Sequence, residues 1–151
     1  MPSLFEPAVQ TDLLNRLSRL TPDATAKWGK FTPVQMVAHL NDSFRMATGE
    51  LAVNAKPGAF LRNPIVRWFI IHVAPFPKSA PTAPELLARG HGSGVALDGE
   101  RTRFKEELAK VSARIGTASW PDHPAFGSMT ERDWGVLGAK HIDHHFKQFG
   151  I

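Results

Sequence analysis

The chain has 151 residues, 42% of them hydrophobic, and 18 Lys+Arg against 14 Asp+Glu give a formal charge of +4. That length suits one domain, residues 1–151, with a core that needs no covalent staple. The absence of cysteine excludes disulfides, zinc ribbons, iron–sulfur clusters and a protein thiol nucleophile, so any metal must rest on His, Asp or Glu.

The absence of tyrosine likewise leaves proton transfer to His, carboxylates, Lys or a bound water. The N-terminal stretch MPSLFEPAVQ lacks a basic segment followed by an apolar one, so the chain reads as cytoplasmic. The most apolar stretch, Ile65 to Pro77, is interrupted by Arg67 and His72 and falls short of the ~20 residues a bilayer demands. A pI near 9.8 suggests nucleic acid, yet the cations are dispersed among acids with no basic run, so neither nucleic acid nor membrane is expected as a partner.

In chain order, the first predicted helix covers about Pro7 to Leu20, with Leu13, Leu14, Leu17 and Leu20 at spacings of three and four. The second opens on Thr32-Pro33-Val34-Gln35, a capping box with proline at the first helical position. It should run to about Leu51 on a stripe of Val37, Leu40, Phe44, Ala47 and Leu51, weakened near its end by Gly49. Residues 52 to 97 are broken by six prolines, leaving room for short helices at Leu61 to Val73 and Pro84 to Ala88. The run Gly90-His91-Gly92-Ser93-Gly94 lacks the strand and the Gly-Lys-Ser/Thr of a phosphate loop and reads as a flexible connector. A third long helix is expected from an Asp98 cap to Ile115, with Phe104, Leu108, Val111 and Ile115 on one face and Gly116 as its stop. The fourth opens on the capping box Thr130-Glu131-Arg132-Asp133 and ends at Phe149-Gly150. These elements predict an all-α four-helix bundle with a long irregular, Pro-rich excursion between helices 2 and 3. In such a bundle, metal and cofactor sites are built from side chains on facing helices.

The last helix carries the chemistry. At about 100° per residue, His141 and His145 point into the apolar arc of Trp134, Leu137 and Phe149. Asp133, Lys140, Asp143 and Lys147 fall on the opposite, solvent side, and His144 on the border. Two imidazoles at i and i+4 stand at the spacing at which one ion accepts both, although hydrogen-bonded core histidines would show the same pattern. The second helix offers a third, His39, on the shoulder of its stripe. His72, His91 and His123 read as structural or surface residues.

A His on the second helix with His-x-x-x-His on the last resembles the DinB/YfiT-like superfamily. The phrases Trp28-Gly29-Lys30, Thr32 to Leu40, His123-Pro124-Ala125-Phe126-Gly127 and Trp134 to Gly150 look like its uncharacterised, domain-of-unknown-function branch. The resemblance covers nearly the whole chain. It implies a divalent zinc, nickel or iron-like ion on His39, His141 and His145, with thiol S-transferase or hydrolase chemistry on a small molecule, and a homodimer. Three neutral imidazoles leave at least one coordination position open for water or a thiolate, and a thiol would have to come from a low-molecular-weight cosubstrate. Gln35, Asn41, Asp42, Ser43 and Gln148 are the nearby polar residues that could orient the rings; Arg45, Arg62 and Arg67 could meet an anionic thiol or carboxylate, although solvated surface charges account for them more simply. A metal-binding or stress-related module without turnover is the alternative reading, and a basic helical protein binding nucleic acid or another protein a more distant one.

Overall fold

A computed structural model describes residues 2–54, 59–78, 82–87, 96–116 and 119–151. Among these the chain is all-helical, with α1 (Pro7–Ser18), α2 (Pro33–Thr48), α3 (Pro64–His72), α4 (Leu97–Ser112) and α5 (Glu131–Phe149). Short 3-10 turns lie at Ala59–Arg62 and Pro84–Leu86. There is no strand among the described residues, and His123 and Gly127 form an isolated β-bridge.

Both predicted capping boxes form. Thr32 Oγ1 accepts from the Gln35 N–H at 3.2 Å while Gln35 Oε1 accepts from the Thr32 N–H at 3.0 Å. Thr130 and Asp133 repeat the exchange at 3.1 Å in each direction. These two starts fix the rotational setting of the two helices that carry the candidate ligands. Both helices stop on glycine in the left-handed region, α2 at Gly49 (φ 82°) and α5 at Gly150 (φ 76°). Gly49 therefore ends α2 three residues before the predicted Leu51, because a stop conformation costs glycine nothing.

Two further expectations are corrected. α4 is capped by Ala96, whose side chain makes no capping bond, and Asp98 sits inside the first turn, where its charge favours the helix dipole. α4 also ends at Ser112, leaving Ile115 in the following turns and 39% exposed. The connector at residues 90–94, with His91, lies outside the described residues, as does Ala88.

The core is one cluster drawn from every long helix. Leu13 and Leu17 of α1, Val37, Leu40 and Phe44 of α2, Phe104, Leu108 and Val111 of α4, and Ile142 and Phe146 of α5 are all buried. Phe104 stands at its centre, edge-on to Phe44 with ring centroids 5.1 Å apart and 6.3 Å from Phe146. α2 packs most extensively on α4, and their contact includes a buried polar pair in which Asn41 Nδ2 donates to the Glu100 backbone oxygen at 3.0 Å and to its carboxylate at 2.7 Å. Arg16 of α1 reaches α5, donating to Asp143 at 3.0 Å and to the Ile151 carbonyl at 3.1 Å.

The α5 face expected to meet solvent is partly covered, because α3 packs on it. Lys140 Nζ donates to the carbonyls of Ile70, Ile71 and Ala74 at 2.8, 2.8 and 2.6 Å, closing off the C-terminal end of α3. His72 Nε2 pairs with Asp133 at 2.8 Å. A helical wheel of α5 alone cannot show this, since the residues are polar and their partner is a distant segment.

Thr130→Ala removes the acceptor for the Asp133 N–H and should lower unfolding stability by about 1 kcal/mol, read as a lower urea midpoint at an unchanged denaturant slope.

Candidate metal centre

α2 delivers His39, 4% exposed, and α5 delivers His145, 8% exposed, with His141 one turn before it and partly covered. The three ring nitrogens converge. His39 Nε2 lies 3.0 Å from His141 Nε2, and His145 Nε2 lies 3.2 Å from the same atom. One donor atom from each residue falls within 4.8 Å of the others, so the three histidines can hold a metal ion. A tetrahedral ion with bonds of about 2.0–2.1 Å requires ligand nitrogens about 3.4 Å apart, so the two spacings to His141 need to open by only a few tenths of an ångström.

The tautomers follow from the outer partners. His39 Nδ1 is 3.3 Å from the Leu86 carbonyl, which can only accept, so this nitrogen carries the proton. His145 Nδ1 is 2.9 Å from Gln148 Oε1, and the same amide's Nε2 donates to the Trp28 carbonyl at 2.6 Å. That second bond fixes which way the amide faces, so His145 Nδ1 is also the donor. The Nε2 atoms of His39 and His145 therefore both present lone pairs to the centre. A neutral His141 can donate to one of them and leaves the other unmet. A single cation satisfies all three, and this is the sense in which the residues fit a metal.

Burial is the main influence on these rings. It lowers the pKa of His39, with a partial offset from the Leu86 bond and from Asp42. It lowers His141 well below the usual value, reinforced by the neighbouring His39 and His145. His145 falls to about 3, through burial and His39 and against the opposing Gln148 bond. All three are held neutral, the form a metal requires.

Two phenylalanines flank the group. Phe31 stacks on His39 at 5.3 Å between centroids and stands 5.7 Å from His145, while Phe76 stacks on His141 at 5.3 Å. His144 is half-buried between Phe76 and Trp28, with centroids at 4.9 and 5.6 Å, and 5.2 Å from His145. A hollow of about 350 Å³ lined by Ala24, Gly29, Lys30, Phe31 and Thr32 among others lies beyond Phe31, and none of the three imidazoles lines it.

Of the residues read as ring-orienting, Gln148 serves that role. Gln35 is spent in its capping box, Asn41 on Glu100, Asp42 on Arg45, and Ser43 donates to the His39 backbone carbonyl. The three arginines are engaged elsewhere: Arg45 with Asp42 and Glu50, Arg67 with the carbonyls of Phe126 and Ser128, and Arg62 along Gly127. Lys78 instead lies beside the site, its Nζ 4.8 Å from the Trp28 ring centroid. Asp143 pairs with Arg16 and Lys147 on the outside of α5. His123 is structural, its Nδ1 accepting from the N–H groups of Ala125 and Phe126 at 3.1 and 3.3 Å.

Sequence reasoning did not reach the Leu86 carbonyl or the two flanking phenylalanines. A main-chain acceptor leaves no mark on side-chain pattern. Gly29 was visible only within the phrase Trp28-Gly29-Lys30. It is at φ +75°, and a Cβ there would lie 2.6 Å from Gln148 Nε2, so only glycine lets the loop pass over the amide that orients His145.

An all-helical protein with a buried trihistidine cluster is thus the class that fold and site define. The chain matches the family described as "Protein of unknown function (DUF1569)" over residues 7–150 and belongs to it. Comparison with curated proteins and with solved structures gives no match.

Two outcomes are expected. Gly29→Ala and Gln148→Leu should each weaken zinc binding about 10–100-fold in competition titration with a chromophoric chelator, because each releases the His145 ring. Burial lowers the folded-state pKa of His123 to about 4 and of His145 to about 3, against about 6.5 for an unfolded histidine. Their contribution to stability is therefore complete above the unfolded value and is lost as pH falls from there toward the folded values. The urea midpoint of metal-free protein should drop between about pH 7 and pH 5, and less so in His123→Asn.

Proposed function

We propose that the chain is a metal-dependent enzyme acting on a small molecule, of the thiol S-transferase or hydrolase type, with one divalent ion on His39, His141 and His145. The observation that carries this reading is the pair of oriented lone pairs facing a third imidazole across about 3 Å, an arrangement that one divalent cation would satisfy. An ion held by three neutral imidazoles supplies Lewis acidity with a coordination position open to exchange. The arrangement of α1, α2, α4 and α5 about one core is in keeping with a DinB-like four-helix bundle, which supports the same reading.

The chain's own residues have separable tasks. Leu86 and Gln148 hold two rings in one tautomer and one orientation. Phe31 and Phe76 exclude water from two sides and lower the local dielectric. His144, kept neutral chiefly by burial, is the side chain beside the cluster that can take a proton at a ring nitrogen. Lys78 over Trp28 supplies positive charge for an anionic guest. With no cysteine in the chain, a thiol nucleophile would be a low-molecular-weight cosubstrate.

Protein purified without a nickel column should contain about one transition-metal ion per chain by elemental analysis, and His39→Ala and His145→Ala should each lose it. Retention of metal in both variants refutes the ligand set. Metal in the wild type without metal- and thiol-dependent turnover of an electrophile, or hydrolysis of an ester, identifies a metal-binding module instead of an enzyme.

A further inference from the structure

The three imidazoles are not equally enclosed. His39 and His145 are buried, while His141 and the adjoining His144 are only partly covered. A guest therefore reaches the centre along the side of α5 where Phe76 and Trp28 flank His144, with ring centroids at 4.9 and 5.6 Å. The hollow beyond Phe31 offers no such approach, since no imidazole lines it.

Two polar groups at this approach lack the partners their chemistry calls for. Trp28 Nε1 is buried and has no acceptor among the described residues. An indole N–H can only donate, and leaving a buried one unmet costs about 1–3 kcal/mol. Over the same ring stands the Lys78 ammonium, its Nζ 4.8 Å from the centroid. Among the described residues it pairs with no carboxylate, and Asp143, the acid of this part of α5, is spent on Arg16 and Lys147. The cation–π contact accounts for where the ammonium rests, at about 0.5–1 kcal/mol for an exposed site, but it uses the face of the ring and leaves the N–H at its edge unanswered.

Both donors are held to the imidazoles by separate segments. The Trp28 carbonyl accepts from Gln148 Nε2 at 2.6 Å and the Lys27 N–H donates to the Gln148 carbonyl at 2.7 Å, which ties the indole to the last turn of α5. Lys78 follows by two residues the Phe76 that stacks on His141. It is an exposed side chain on a flexible stem, so its ammonium can leave the ring face and close over an anion at the ring edge. One cation and one neutral donor match a singly charged carboxylate, with its two acceptor oxygens, more closely than a doubly charged phosphate. His144 alone separates Trp28 from His145, 5.6 and 5.2 Å from their rings, so the span from that anion to the centre is that of a short chain.

We propose that Lys78 and the Trp28 indole N–H are the docking point for a carboxylate of the guest, so that the substrate class is a small carboxylic acid whose far end reaches the trihistidine centre. The reading of that centre as a metal site, on which this rests, decides only which end of the guest reacts, and the two are tested apart. In isotope-labelled, metal-free protein, the indole N–H resonance that Trp28→Phe removes should shift downfield and saturably with propionate, and not with propionamide. Lys78→Met should weaken the propionate response about fivefold, the share of one exposed charge. On cobalt-loaded protein, thiolate-to-metal absorption should show 3-mercaptopropionate binding about tenfold tighter than 2-mercaptoethanol, a preference that Lys78→Met cuts to about twofold and that added salt weakens. A Trp28 resonance that propionate leaves in place, or that propionamide moves equally, overturns the proposal, as does a Lys78→Met protein that answers propionate like the wild type or equal affinity for the two thiols. A protein that takes up no cobalt yet keeps the propionate response upholds the docking point while overturning the metal reading.

Discussion

The structure turns on the mutual orientation of three imidazoles from two helices. Two carry their protons outward, on Nδ1 atoms bonded to the Leu86 carbonyl and to Gln148 Oε1. Their Nε2 lone pairs then have nowhere to point but at each other's neighbour, His141. Burying three such rings costs desolvation in every protonation state, and a hydrogen-bonded core would pair each lone pair with a donor. Here the outer bonds are made and the inner ones conflict, and three imidazoles so arranged could hold a metal ion.

Much of the rest of the chain holds that orientation. The Thr32 and Thr130 capping boxes set the rotation of α2 and α5, since a slip of one residue would swing a histidine about 100° off the centre. The loop before α2 passes over the last turn of α5, with Lys27 N–H donating to the Gln148 carbonyl at 2.7 Å, the Trp28 carbonyl taking the Gln148 amide, and Gly29 giving room. The 3-10 turn at Pro84–Leu86 brings the other outer acceptor from a distant stretch of chain. Three separate segments thus converge on two hydrogen bonds.

The parts of this legible in the sequence were those encoded by side-chain spacing. Thr-Pro-Val-Gln and Thr-Glu-Arg-Asp are local caps that act through their own backbone, and both form as read. The inward setting of His141 and His145 follows from helix period, and the pairing of His39 with them from the apolar stripe it borders. Sequence reasoning failed where a polar residue's partner is main chain or comes from an unrelated segment. Lys140 and Asp133 look solvated on a wheel because nothing in α5 announces the α3 carbonyls and His72 that they meet. Asp98 looks like a cap because its residue type favours that position, yet the cap is Ala96 and the helix begins at Leu97, two residues earlier than an Asp98 cap implies, with Leu97 buried in the core.

α3 joins the two halves of the functional reading. Lys140 adjoins His141 in sequence and grips the carbonyls at the end of α3, so the chain leaving that helix departs from a fixed point. Four residues after His72 it delivers Phe76 onto the His141 ring, and two later Lys78 over Trp28. In this docking Ile71 is buried and Ile70 partly so, and beside them stand the polar contacts of Lys140 and Asp133. The docking of α3 and the wall of the imidazole site are in this way one mechanical unit, because Lys140 anchors the end of the helix from which the chain runs to Phe76.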